Sequence, residues 1–152
     1  MKRIDADNHP YNTIPALLEP IRFLGVPEID IEHLAITDAL SDIYVCLLDR
    51  ASLTVIIDKL TDLADLICKH FEHEENLMRT IRHKKAWAHK LDHDHILDRM
   101  SRFVIDSENG RGDLTESAVT LIGAWKVIHV KEFDEPLAKA IRKSMKRPTW
   151  VC

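Results

Sequence analysis

The sequence predicts an all-α protein: an antiparallel up-down-up-down four-helix bundle with an N-terminal arm and a short C-terminal helix. Three observations predict it. The 152 residues include only 4 glycines and 6% aromatics, while 45% are hydrophobic, a balance that favours helices over a strand-rich sandwich. Apolar residues recur at alternating steps of three and four in four separate stretches, which marks one helical face in each. The breaks between stretches are only a few residues long, so consecutive helices should be antiparallel neighbours.

Residues 1–29 carry Pro10, Pro15, Pro20, Gly25 and Pro27, too many breakers for a long helix, and read as the arm. The first helix is expected over about 30–49, with His33, Ile36, Leu40, Ile43 and Leu47 on its inner face. The second, over about 52–80, continues the alternation through Ile56, Leu60, Leu63, Ile67, His70, Glu74 and Leu77. The third, over about 85–108, presents Ala86, His89, His93, Ile96, Met100 and Phe103, and Asn109-Gly110 ends it. The fourth opens at Asp113, a good N-cap with Glu116 as capping-box partner. Its inner face holds Ala118, Ile122, Trp125 and His129. Pro136 is expected to end or kink it, with a short helix following through Ala140. The whole reads as a single domain over 1–152: arm 1–29, bundle 30–136 and extension 137–152.

Net charge is -4, so a nucleic-acid partner is not expected. The basic run Arg142, Lys143, Lys146 and Arg147 is explained by a solvated tail as well as by any partner. The 3 cysteines include no CxxC pair, which speaks against a zinc ribbon or a disulfide framework. Cys46 and Cys68 fall in apolar helical runs and are expected as core thiols. The N-terminus lacks an apolar leader core, and no run of 18 apolar residues occurs. The cytoplasm, with no membrane partner, is the expectation.

The informative feature is what interrupts the apolar stripes. His33 interrupts the first, His70 and Glu74 the second, His89 and His93 the third, and His129 the fourth. A histidine or glutamate at a burial position costs several kcal/mol unless it is paired or bound. A lone histidine on an apolar face is more often a hydrogen-bonded core residue than a ligand. Six such residues on four helices are a different matter. In an antiparallel bundle, the starts of helices one and three lie beside the ends of helices two and four. That places His33, His70, Glu74, His89, His93, His129 and Asp134 at one end. His70 with Glu74, and His89 with His93, are four apart and so one turn apart on one face. His129 and Asp134 are five apart, and at about 100° per residue they diverge by roughly 140°. Five imidazoles and two carboxylates exceed one ion and suit two bridged ions. Donor type alone leaves iron, zinc, copper and nickel open.

These positions, as they stand in "IDIEHLAI", "HFEHEENLM", "HKLDHDHIL" and "WKVIHVKEFD", resemble the ligand set of the hemerythrin family. The resemblance runs from Gly25 to Leu137 and includes the neighbours Phe71, Lys90 and Trp125. It implies a non-haem di-iron centre, oxo- or hydroxo-bridged, with Glu74 and Asp134 spanning the irons. One iron would take three histidines and the other two, leaving an open position for dioxygen. The implied function is reversible dioxygen binding for sensing, delivery or storage. The alternative is a di-iron enzyme or sensor handling peroxide or nitric oxide; a sensing role would need a protein partner the sequence does not name.

Other metal bundles fit less well. No glutamate is followed three residues later by histidine, so the ExxH motif of ferritin-like centres is missing. Seven protein ligands do not suit tetrahedral zinc. His9, His73, His83 and His95 are left over. His73 and His95 sit off the stripes and read as solvated or supporting residues, and Glu75 and Asp92 as surface charges. Ile36, Phe71, Trp125, Lys126, Val130 and Phe133 are expected to wall the ligand pocket. Lys126 departs from the apolar habit of that wall: either its stem lines the pocket and its ammonium snorkels outward, or the ammonium reaches a bound anion. The arm also lacks the tryptophan that often precedes the first ligand in the family.

Overall fold

The structure, a computed structural model, describes residues 20–146. The expected arm up to residue 19, together with His9, Arg147 and Cys152, lies outside the described residues. Helix α1 spans Pro27–Leu48, α2 spans Leu53–Thr80 and α3 spans Ala86–Glu108. Helix α4 spans Leu114–Gly123, passes into a π-helical segment Ala124–Asp134, and is followed directly by α5, Glu135–Met145. Helix α1 packs beside α2 and α4, and α3 beside α2 and α4, so the four long helices form a square in which sequential neighbours touch.

The expected starts and stops have local causes. The Ser52 hydroxyl accepts the Val55 N–H ahead of α2, and the Asp113 carboxylate accepts the Thr115 and Glu116 N–H groups ahead of α4. These side chains satisfy donors that a helix N-terminus leaves open. Helix α1 starts earlier than the run of breakers implies. Pro27 sits in its first turn, where a fixed φ is helical already and the missing N–H is not needed. Gly25 makes the preceding turn with φ 78°, a backbone that favours glycine. Asp30 then reaches back from α1, accepting the Leu24 N–H at 2.6 Å and the Gly25 N–H at 3.0 Å. Arg142 of α5 donates to the Leu24 carbonyl. The segment before α1 is thereby tied to both ends of the described chain.

The apolar stripes bury as the periodicity implies. Leu60, Leu63 and Ile67 of α2 lose all exposure, and Ile36, Leu40 and Ile43 of α1, Ile96, Met100 and Phe103 of α3 and Ala118, Leu121 and Ile122 of α4 are buried with them. This core fills the end of the bundle away from the polar stripe.

Three expectations need correction. Pro136 does not end the helix. The π segment closes at Asp134, and α helix resumes at Glu135 with Pro136 in its first turn, where a missing N–H and a fixed φ cost little. Residues 114–145 therefore run on without a break, and α5 extends to Met145 rather than Ala140. The basic run is not an irregular tail: Arg142 and Lys143 lie in α5 and Lys146 directly follows it; Lys143 and Lys146 are exposed, but Arg142 is half-buried. Cys68 is exposed and Cys46 only half-buried, since each lies beside its stripe and not on it. Among the described residues, no helix is long and apolar enough to cross a membrane.

Asp30 is buried and satisfies two backbone donors. Asp30→Ala should therefore cost about 1–3 kcal/mol, the penalty for stranding buried donors. The urea midpoint measures it, and a midpoint equal to that of the parent would show that Asp30 does not anchor this segment.

Candidate metal centre

The structure brings all seven stripe residues together. His33 comes from α1, His70 and Glu74 from α2, His89 and His93 from α3, and His129 and Asp134 from the π segment. Each is essentially without exposed surface. Glu74 lies at their centre. One of its carboxylate oxygens, Oε2, lies 3.1 Å from His93 Nε2, 3.2 Å from His89 Nε2, 3.5 Å from His70 Nε2 and 3.7 Å from His129 Nε2. Asp134 faces both sides of the cluster: Oδ2 is 3.0 Å from His33 Nε2, and Oδ1 is 3.0 Å from both His89 Nε2 and His129 Nε2.

The π geometry corrects the angle expected between His129 and Asp134. An i→i+5 backbone repeat makes five residues roughly one turn. The two side chains therefore share a face instead of diverging by about 140°.

Apart from His93 Nε2 and Glu74 Oε2, which are hydrogen-bonded at 3.1 Å, short distances here do not mean hydrogen bonds. Among the described residues, Nε2 of His33, His70, His89 and His129, Oε1 of Glu74 and both oxygens of Asp134 are buried with no hydrogen-bond partner. Buried polar atoms are rarely left so. These nitrogens and oxygens converge without aligned donors, which is the arrangement a cation completes. Two metal-sized groups emerge, with donor atoms within 4.8 Å of one another: Glu74, His89, His93 and His129, and His33, His70, Glu74 and Asp134. Imidazole with carboxylate is a donor set for first-row transition ions. The residues present fit a metal.

The outer face of the cluster is set by three carboxylates on neighbouring helices. Glu32 Oε2 is 2.7 Å from His70 Nδ1, Asp92 Oδ2 is 2.8 Å from His129 Nδ1, and Glu75 Oε1 is 3.1 Å from His93 Nδ1. A carboxylate that accepts the Nδ1–H fixes the tautomer and turns the Nε2 lone pair inward. Glu75 and Asp92 are thus not simple surface charges, as the sequence suggested, and Glu32 was missed altogether. Each of the three is the immediate sequence neighbour of an inward residue (Glu32 of His33, Glu75 of Glu74, Asp92 of His93), so it leans toward the adjacent helix. That neighbour rule was the available signal. Glu32 Oε1 is also 2.8 Å from His73 Nδ1, so His73 supports the site indirectly, whereas His95 is exposed. Glu132 is exposed as well.

Aromatic rings pack the inner rings in place. Phe71 stacks on His93 with centroids 3.7 Å apart, Trp125 stacks on His129 at 5.3 Å, and Trp125 meets His33 edge-on at 5.3 Å. Phe133 lies 5.5 Å from the His89 ring. Of the expected pocket wall, Ile36, Phe71, Trp125 and Val130 are buried, and Lys126 and Phe133 are half-buried.

The electrostatics follow from burial opposed by pairing. Burial alone would raise the Glu74 carboxyl, but the imidazoles of His70, His129, His89 and His93 outweigh it and hold it well below the ordinary range. Asp134 is raised by burial and by the Glu74 charge, yet His129 and His33 bring it below its usual value. His129 is pushed well above its ordinary value, since Asp134, Asp92 and Glu74 overcome its burial. His89 is raised against its burial by Asp134 and Glu74. For His93 burial wins and the pKa falls.

Comparison with known proteins bears on this geometry. No family model matches the chain, and no solved structure matches it. Its sequence is similar to the bacteriohemerythrin of Stenotrophomonas maltophilia, 25% identical over 78% of this chain and 76% of that one. That of Pseudomonas aeruginosa is also 25% identical, over 80% of this chain and 78% of its own. The Clostridium acetobutylicum protein of the same name is 25% identical over 73% of this chain and 89% of its own. The chain is hemerythrin-like. Iron is the metal that likeness implies, and the hemerythrin-like chain has the buried histidine and carboxylate groups to hold a metal.

A pH dependence follows for the metal-free protein. Glu74, Asp134 and Glu32 are depressed in the fold. Their contribution is complete above the ordinary carboxylate pKa of about 4 and is lost as pH falls through the depressed values. His89 and His129 are raised, so theirs is complete below about pH 6.5 and is lost as pH climbs through the raised values. Urea midpoints of the metal-free chain should therefore decline on both sides of a weakly acidic optimum. A midpoint that rose steadily from pH 6 to pH 9 would contradict the assignment for the two histidines.

Proposed function

We propose that this hemerythrin-like chain holds two non-haem iron ions and reversibly binds dioxygen, for oxygen sensing, delivery or storage. The ligands proposed are His89, His93 and His129 for one ion and His33 and His70 for the other, with Glu74 and Asp134 bridging. The observation that carries the reading is the asymmetry of the two donor groups, which share Glu74: one contains three imidazoles and the other two. The group with fewer imidazoles is the one with room for an exogenous ligand. A pair of ferrous ions supplies the two electrons that reversible dioxygen binding requires.

The chain's own residues supply the surroundings. Trp125 is fully buried and packs edge-on against both His33 and His70, with centroids 5.3 Å from each. Together with Ile36 and Phe71, also buried, it keeps water away from the two-imidazole side. A dry, apolar wall limits proton entry and loss of a bound ligand. Glu32, Asp92 and Glu75 hold His70, His129 and His93 in the tautomer whose Nε2 faces inward.

Two measurements test the reading. Purified protein should carry two irons per chain, and its reduced form should gain a visible charge-transfer band in oxygen that disappears on deoxygenation. One metal per chain, a preference for zinc under iron-replete expression, or an irreversible spectral change would each overturn it, the last in favour of an enzyme. Supporting carboxylates give a finer test. Asp92→Ala and Glu32→Ala should each lower iron affinity by about 10–100-fold in chelator competition. Asp94→Ala should not, because Asp94 pairs with Lys90 on the surface.

A further inference from the structure

The end of the bundle nearest the metal groups carries a charge distribution that the site does not explain. Two open clefts of about 400 Å³ each flank α5 and share Pro136. The first is lined by Arg22, Lys131, Lys139 and Arg142 with a single carboxylate, Glu135. The second is lined by Arg82, Lys84, Lys85 and Lys143 and by no carboxylate. The chain as a whole has a net charge of -4, so this concentration of cations reflects segregation rather than a basic composition. Elsewhere Lys59 pairs with Asp42, Lys90 with Asp94 and Arg102 with Asp98. None of the eight cleft cations forms such a pair among the described residues.

Large apolar side chains stand exposed beside these cations. Trp87, two residues beyond Lys85, is 79% exposed, Met145 at the end of α5 is 73% exposed, and Phe23 in the wall of the first cleft is 64% exposed. An exposed tryptophan gains nothing from water, whereas at a lipid headgroup boundary its ring is buried and its N–H stays wet. Clusters of four to eight lysines and arginines beside such anchors suit anionic lipid headgroups.

We propose that this end of the bundle is a peripheral docking surface for an anionic phospholipid membrane. The two cationic clefts receive headgroup phosphates, and Trp87, Phe23 and Met145 enter the interface. The sequence led to an expectation of no membrane contact because it has no spanning segment, but attachment of this kind needs none. Because the rest of the chain carries the compensating negative charge, only this end can face an anionic surface, so binding fixes the orientation of the metal groups relative to the membrane. The proposal does not depend on which metal is bound or on dioxygen binding.

The test is sedimentation of the metal-loaded full chain with phosphatidylcholine vesicles, with and without about one-third phosphatidylserine. Binding is expected only with phosphatidylserine, and it should be lost at about 0.5 M salt, where screening is strong. Lys84→Glu, Lys85→Glu and Lys143→Glu together should abolish it. Arg99→Glu, Arg102→Glu and Arg111→Glu together change net charge equally at the opposite end of the bundle and should leave it intact. Trp87→Ser should weaken it by about tenfold, the lower end of what burying a large apolar side chain contributes. Circular dichroism and iron content of each variant separate loss of docking from loss of fold. Three results would overturn the proposal: no binding to phosphatidylserine vesicles at low salt, equal loss in both triple variants, or binding to a soluble acidic protein such as plant ferredoxin in the absence of any binding to vesicles.

Discussion

Glu74 is a carboxylate with no exposed surface, and four imidazoles from three helices crowd one of its oxygens at 3.1–3.7 Å. Burying such a charge in isolation would cost several kcal/mol. The four imidazoles reverse the effect of burial and keep it ionised. This single interaction dictates where α2, α3 and the π segment must sit relative to one another. It also concentrates negative charge between two groups of nitrogen donors. The apolar half of the bundle can be packed by many sequences of suitable size and pattern. The polar half is far more constrained, because each ring that turned away would remove an imidazole that offsets the burial of the Glu74 carboxylate.

The π segment is part of the same constraint. In a regular α helix, His129 and Asp134 could not both face the centre while Trp125 stacks on His129. An i→i+5 repeat brings the 129/134 pair onto one face, and Trp125 meets the His129 ring at an interplanar angle of 21°. The widened helix also places Asp134 so that each of its oxygens addresses a different side of the cluster. Pro136 then follows without penalty, because the chain re-enters α geometry one residue before it. What looked in the sequence like a helix stop is the point where π geometry gives way to α.

How much of this was legible in the sequence depends on whether the information was periodic. The four helices and their inner stripes follow from steps of three and four, and Leu60, Leu63, Ile67, His70 and Glu74 are buried as that pattern requires. The convergence of the seven polar residues at one end followed from antiparallel order alone. Three things were not legible for identifiable reasons. The helical wheel assumes about 100° per residue, so it misplaced Asp134, and the general rule for proline inside a helix did not foresee that α geometry resumes one residue before Pro136. Glu32, Glu75 and Asp92 lie one residue off the stripe, where a wheel assigns them to solvent. Their role depends on which helix stands next to them, and that is a tertiary fact. The cationic clefts combine residues from the segment before α1, from the α2–α3 connection and from α5, and no single window of sequence contains them.

The supporting carboxylates show how the bundle connects a dry centre to water. The imidazoles of His70, His93 and His129 have no exposed surface, while the side chains of Glu32, Glu75 and Asp92 are 32%, 29% and 18% exposed. Each imidazole is therefore a bridge with one nitrogen in the apolar interior and the other bonded to a carboxylate at the boundary. A carboxylate placed there keeps part of its hydration, so its own ionisation costs far less than that of Glu74. It can still orient a ring that lies wholly inside. Lys90 lies 3.6 Å from Glu75 and 2.6 Å from Asp94, so one of these boundary groups also feels surface charge. The consequence is a division of tasks. The residues that face the centre are fixed by packing and by one another, while the charge balance around them is adjustable from outside. Substitution at Glu32, Glu75 or Asp92 can tune the basicity of the inner nitrogens without opening a cavity. Substitution of the rings themselves cannot do so without disturbing the packing of Phe71 and Trp125.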